Sequence, residues 1–123
     1  MREMSATVLR GVEFVEDEFL VKTLETKEEL TQAYRLRHRV FAEQLQWVPP
    51  TEDGKEMDMY DLWGVTVGVF GYDGMLLGMA RLLPHSGKFM LEHEFGALLH
   101  QGYAIRKAPD TAEITRLAVN PDI

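Results

Sequence analysis

Six charged residues sit inside or at the ends of otherwise apolar stretches of this chain: Arg37, Asp58, Asp61, Arg81, Glu113 and Arg116. Buried charge is tolerable only when each group is paired and hydrogen-bonded. Three arginines and three carboxylates drawn from separate elements are what a shared electrostatic cluster requires. Such a cluster can balance a charged ligand, and a carboxylate in it, tuned by its neighbours, can accept a proton. Each member also has a plainer reading. An arginine stem can lie along a core and snorkel out, Asp58 and Asp61 suit loop and cap positions, and Arg81 suits the solvated face of a hairpin. Glu113 and Arg116 are three apart, so a regular strand puts them on opposite faces. They share a cleft only if a bulge intervenes.

The elements that must position these residues can be read in order. "FLVKTLET" (19–26) alternates as a strand. Thr26 with Glu29 then spells a capping box that opens a helix from 27 to about 45. Leu30, Ala33, Tyr34 and Phe41 follow one face of that helix, and Arg37 falls on the same stripe. "WVPPTEDGKEMDMYD" (47–61) is a loop by its Pro-Pro and Asp-Gly content. "VTVGVF" (65–70) and "MLLGMARLL" (75–83) form a hairpin around Asp73-Gly74. "FMLEHEFGALLHQ" (89–101) has helical spacing, and "AEITRLAV" (112–119) is the last strand.

Composition narrows the chemistry. With 123 residues the chain has room for one core, and 46% hydrophobic with 27% charged residues is ordinary for a folded domain. A formal charge of -7 has the wrong sign for a protein that holds phosphate backbones, so no nucleic-acid partner is expected. The absence of cysteine removes disulfides, thiolate nucleophiles and cysteine metal sites, and fits a cytoplasmic location. His38, His85, His93 and His100 have no ligand spacing, so no metal is expected. The N-terminal stretch has no long apolar core, so neither a leader nor a membrane span is expected.

Taken in order, "LRHRVFAEQLQW", "DGKEMDMYD", "GMARLLP", "FMLEHEF" and "EITRLAV" resemble the signature of the acyl-homoserine-lactone synthases, the autoinducer synthases of bacterial quorum sensing. The matching positions are Arg37, Phe41, Trp47, Asp58, Asp61, Arg81, Glu113 and Arg116, over residues from about 20 to 120. Thr115 stands where that family commonly has serine, which keeps the hydroxyl. The resemblance implies an α/β (α+β) fold like that of the GNAT acyltransferases, a mixed sheet flanked by helices, of which this chain holds the N-terminal half. Residues 1–18 are then an N-terminal extension and 19–123 the synthase domain.

It also implies a reaction. The amine of S-adenosylmethionine attacks the thioester of an acyl chain on acyl carrier protein. The methionine carboxylate then closes the lactone and displaces methylthioadenosine. Arg37, Phe41 and Trp47 would shape the S-adenosylmethionine pocket, Asp58 and Asp61 would balance the arginines and the ligand, and Arg81 and Arg116 would hold the carboxylates. Glu113 would be the general base. No separate cofactor is implied: S-adenosylmethionine is a substrate, and phosphopantetheine arrives on the carrier protein. Arg35, His38 and Arg39, or Arg106 with Lys107, are the local basic candidates for docking that acidic partner.

The chain stops at "VNPDI", where the resemblance expects the acyl-selecting half to follow. A fragment, or a half-domain that self-associates through an open sheet edge, is therefore expected. Two other readings stay open: an N-acyl amino acid synthase of similar sequence, and a catalytically silent S-adenosylmethionine-binding module.

Overall fold

The computed structural model describes residues 11–100 and 102–123. Five strands form one antiparallel sheet in chain order: β1 (Glu13–Glu16), β2 (Phe19–Thr23), β3 (Val65–Phe70), β4 (Leu76–Pro84) and β5 (Ala112–Val119). β1 turns into β2 through Asp17-Glu18, with Asp17 at a φ of 54°, a left-handed conformation that aspartate tolerates. The sheet thus begins inside the segment read as an extension, while residues 1–10 lie outside the described residues.

The single α-helix among the described residues, α1 (Lys27–Arg37), starts where the capping box predicts: the Thr26 hydroxyl accepts from the Glu29 amide at 3.1 Å and the Glu29 carboxylate accepts from the Thr26 amide at 3.1 Å. Lys22 of β2 closes on the same carboxylate at 2.7 Å and ties helix to sheet. Burial opposes ionisation of Glu29, but the bond from Lys22 and those from the Glu25 and Thr26 amides outweigh it and bring its pKa down to about 2.

α1 lies on one face of the sheet. Ala33, Leu36, Val40 and Phe41 pack with Leu24, Phe70, Leu76, Met79 and Ala118. A second cluster, Tyr60, Leu83, Phe89 and Met90 with Trp63 and Ile105, closes the end of the sheet that carries the charged residues. β5 is an edge strand and leaves Ile114, Leu117 and Val119 exposed.

The helix expected over 89–101 is instead two short 3-10 turns, Met90–Glu92 and Gly96–Leu98. Most helical stability in a protein comes from burying an apolar face. Here Phe89 and Met90 are buried while Phe95 and Leu98 stay exposed, so the spacing has no continuous surface to bury against, and Gly96 weakens the helix further. The excursion is held elsewhere: Lys107 donates to the Gly87 carbonyl at 2.7 Å and to Glu92 at 2.6 Å, over the Phe89 ring.

Gly87 makes the closest approach in this region, because a Cβ there would land on the Trp63 indole, whose N–H already donates to the Lys88 carbonyl at 3.0 Å. Gly87→Ala is expected to cost about 1–3 kcal/mol by overpacking, read as a lower urea midpoint at unchanged slope.

Candidate functional site

Past Arg37 the helix does not stop but widens into a π-helical stretch, His38–Gln44. The wider winding ends with the Leu45 amide on the Val40 carbonyl, and Gln46 turns the chain at a φ of 57°. The Phe41 carbonyl then receives the amides of both Trp47 and Val48, at 2.8 and 3.3 Å. The loop that follows is sewn back to the helix at two points. His38 Nε2 accepts the Thr51 amide at 3.0 Å, and the Tyr34 carbonyl accepts the Glu56 amide at 3.0 Å. Glu56 and Asp58 are thereby delivered beside Arg37.

Arg37, with no exposed surface, is the centre of a network. Its Nε donates to Glu56 at 2.9 Å, and its two terminal nitrogens grip both oxygens of Asp61 at 2.7 and 3.2 Å. Arg81 of β4 is equally buried. It donates to Asp58 at 2.5 and 3.2 Å and to Asp61 at 3.0 Å, and its Nε donates to the Thr115 hydroxyl at 2.9 Å. Asp58 and Asp61 also cap a 3-10 turn, Met59–Leu62, so the loop reading and the cluster reading of these aspartates both hold. Bidentate arginine–carboxylate geometry of this kind fixes orientation as well as charge.

Arg116 reaches the network through a bulge. Met79 opposes Ala118 and Arg81 opposes Thr115, so β5 inserts one extra residue, and Arg116 takes a φ of 53°. Its side chain donates to Glu56 at 2.8 Å and to Asp58 at 3.2 Å, and its guanidinium lies 5.3 Å from the centre of the Phe41 ring.

The cluster is thus Arg37, Arg81 and Arg116 with Glu56, Asp58 and Asp61, in formal balance. Glu56, 5% exposed, holds the place in it that sequence reasoning gave to Glu113. Glu113 lies aside, its carboxylate accepting the Met90 and Leu91 amides at 2.7 and 3.0 Å. Alternation makes this intelligible: in the regular ladder before the bulge Glu113 faces the 89–92 turn, and within the bulge Arg116 is turned toward the loop.

Burial opposes ionisation of Glu56, but bonds from Arg116 and Arg37 together outweigh it and hold the carboxyl below its ordinary range. Asp61 is likewise held down, burial being outweighed by Arg37, the Asp58 amide and Arg81. Burial alone would lower Arg37, but Asp61 and Glu56 more than offset it.

A cleft of about 290 Å³ opens above the cluster, with Glu56, Asp58 and Arg116 at its base and Val48, Pro49, Met57 and Glu94 on its walls. Phe41 is buried and Trp47 is 71% exposed, their ring centres 5.9 Å apart. Trp47 borders a neighbouring surface groove across the Val48–Pro49 ridge. The docking candidates are less free than their sequence suggests. Arg39 pairs with Asp122 at 3.0 Å, Arg106 with Asp110 at 3.0 Å and Lys107 with Glu92 at 2.6 Å, while His38 is buried.

Sheet, helix and cluster together define an α+β domain that carries a charge-balanced polar interior under a ligand-sized cleft. The profile of the autoinducer synthase family matches residues 21–123, and the chain belongs to that family. It is 38% identical over 84 residues to the acyl-homoserine-lactone synthase of Ralstonia nicotianae, covering 67% of this chain and 41% of that one. The crystal structure of the acyl-homoserine-lactone synthase LasI superposes with a TM-score of 0.72 at 30% identity, covering 83% of this chain and 53% of that one. BjaI, a CoA-dependent acyl-homoserine-lactone synthase solved with S-adenosylmethionine and isopentyl-CoA, gives a TM-score of 0.60 at 31% identity, covering 76% of this chain and 44% of that one. The chain therefore spans about half the length of these relatives or less.

Proposed function

We propose that this domain binds S-adenosylmethionine in the cleft above the arginine–carboxylate cluster and serves acyl transfer from an acyl-carrier-protein thioester to its amine, followed by lactone closure. The observation that carries the reading is the cluster itself. A fully paired buried network costs desolvation that an apolar core would avoid, so its value lies in holding Arg116, Glu56 and Asp58 in fixed positions at the base of a cleft. The aromatic pair Phe41 and Trp47 beside it supplies faces suited to an adenine ring or a sulfonium.

Proton removal from the attacking amine falls to Glu113, whose two amide bonds fix its carboxylate while leaving lone pairs for a water or the amine. Thr115 and Asp58 hold the Arg81 guanidinium in place, so Arg81 acts by positioning Asp58 and Asp61. The carrier-protein donor is the reading from sequence, and the likeness to CoA-dependent BjaI makes an acyl-CoA the natural comparison.

Mass spectrometry of products from this chain with S-adenosylmethionine and matched carrier-protein and CoA thioesters tests the reading. An acyl-homoserine lactone with methylthioadenosine is the expected outcome, larger with carrier-protein donors. Product from CoA thioesters alone would replace the donor assignment. No lactone from either, with no S-adenosylmethionine bound, would remove the function from this chain.

A further inference from the structure

We propose that Glu94 is the specificity residue that receives the cationic methionine end of S-adenosylmethionine and distinguishes it from the neutral thioether product. The proposal rests on the functional reading above and assigns a role to a residue outside the paired cluster. Every carboxylate of the cluster is committed: Glu56 to Arg37 and Arg116, Asp58 to Arg81 and Arg116, Asp61 to Arg37 and Arg81. Glu94 also lines the cleft, yet its carboxylate has no hydrogen bond or ion pair among the described residues.

Three arginines cancel the cluster's three carboxylates, so among the residues that line the cleft Glu94 is left as the uncompensated negative charge. S-adenosylmethionine carries a sulfonium, an ammonium and a carboxylate, a net charge of one positive, which complements that excess. Its field already reaches the interior, since after burial Glu94 is the next cause of the raised pKa of the buried Tyr60 phenol. Met57, 57% exposed, with Val48 and Pro49, gives the cleft lining an apolar surface for the S-methyl group. Once the sulfonium has become a thioether and left as methylthioadenosine, both positive charges are gone and the attraction goes with them. Glu94 would then favour entry of substrate and release of product.

Calorimetric titration of this chain with S-adenosylmethionine and with methylthioadenosine tests the proposal. Glu94→Gln is expected to weaken S-adenosylmethionine binding about 5-fold, an effect that shrinks as salt rises, and to leave methylthioadenosine unchanged. Glu94→Asp, which keeps the charge, is expected to retain most of the affinity. Equal S-adenosylmethionine binding by wild type and Glu94→Gln would overturn the proposal while leaving the functional reading intact. An equal loss of both ligands would also overturn it by making the residue structural. Failure of the wild type to bind S-adenosylmethionine would overturn the functional reading and this one with it.

Discussion

Arg37→Met is expected to lower the stability of the domain by about 3–5 kcal/mol, a large share of the 5–15 kcal/mol typical of a folded domain. The guanidinium is fully buried and serves Glu56 and Asp61 at once. Its removal leaves Glu56 with Arg116 alone and Asp61 with Arg81 alone, and leaves one negative charge in excess among buried groups. The loss measures the unpaired carboxylates more than the value of the pair, and a second variant separates the two.

In Arg37→Met with Asp61→Asn, one charge of each sign is gone. Glu56–Arg116 and Asp58–Arg81 remain as complete pairs, and the Asn oxygen can still accept the Asp58 amide that Asp61 accepts at 2.7 Å. That double variant is expected to regain about 1–2 kcal/mol over Arg37→Met alone. Urea midpoints at constant slope read both effects. If the double variant is no more stable than the sum of the two singles, charge balance is not what holds Arg37 in the core.

The sequence carried more of this site than of the segment around it. Arg37 was visible because an arginine on an otherwise apolar helical stripe breaks the pattern, and the structure resolves the anomaly by pairing it with two carboxylates through three hydrogen bonds. The requirement for a bulge near Glu113 and Arg116 was also legible, since period-two alternation forbids their use on one face, and the strand bulges at Arg116. What it serves differs from the expectation: it turns Arg116 toward Glu56, not Glu113 toward the arginines.

Glu56 was missed because in "DGKEMDMYD" it looks like one more loop charge. Its burial depends on the Tyr34 carbonyl accepting its amide, a contact across 22 positions that no local pattern encodes. A signal was present, since Glu56 and Asp58 are two apart and in an extended segment would share a face. The change from α to π winding at His38 was likewise invisible, because apolar spacing over seven residues does not separate the two windings. The 89–101 segment had helical spacing without a surface to bury it, a fact of tertiary packing alone.

Glu56→Gln is expected to cost about 3 kcal/mol at pH 7, with a gap from wild type that closes on acidification. The arginines hold Glu56 and Asp61 below the ordinary carboxylate pKa of about 4. A carboxyl depressed in the folded state contributes stability that is fully present above its unfolded pKa and is lost as pH falls through its folded pKa. Wild type should therefore be insensitive to the cluster between pH 5 and 8 and lose stability progressively below about 4. The glutamine variant lacks the Glu56 share of that loss and keeps only the Asp61 share, so its stability falls less steeply. Urea melts at half-unit steps from pH 7 to 3 give both curves. A gap that stayed constant to pH 3 would mean that Glu56 acts through shape and hydrogen bonding to its arginines, not through its charge. The cluster would then be a rigid polar scaffold whose ligand preferences owe little to the ionisation of its floor.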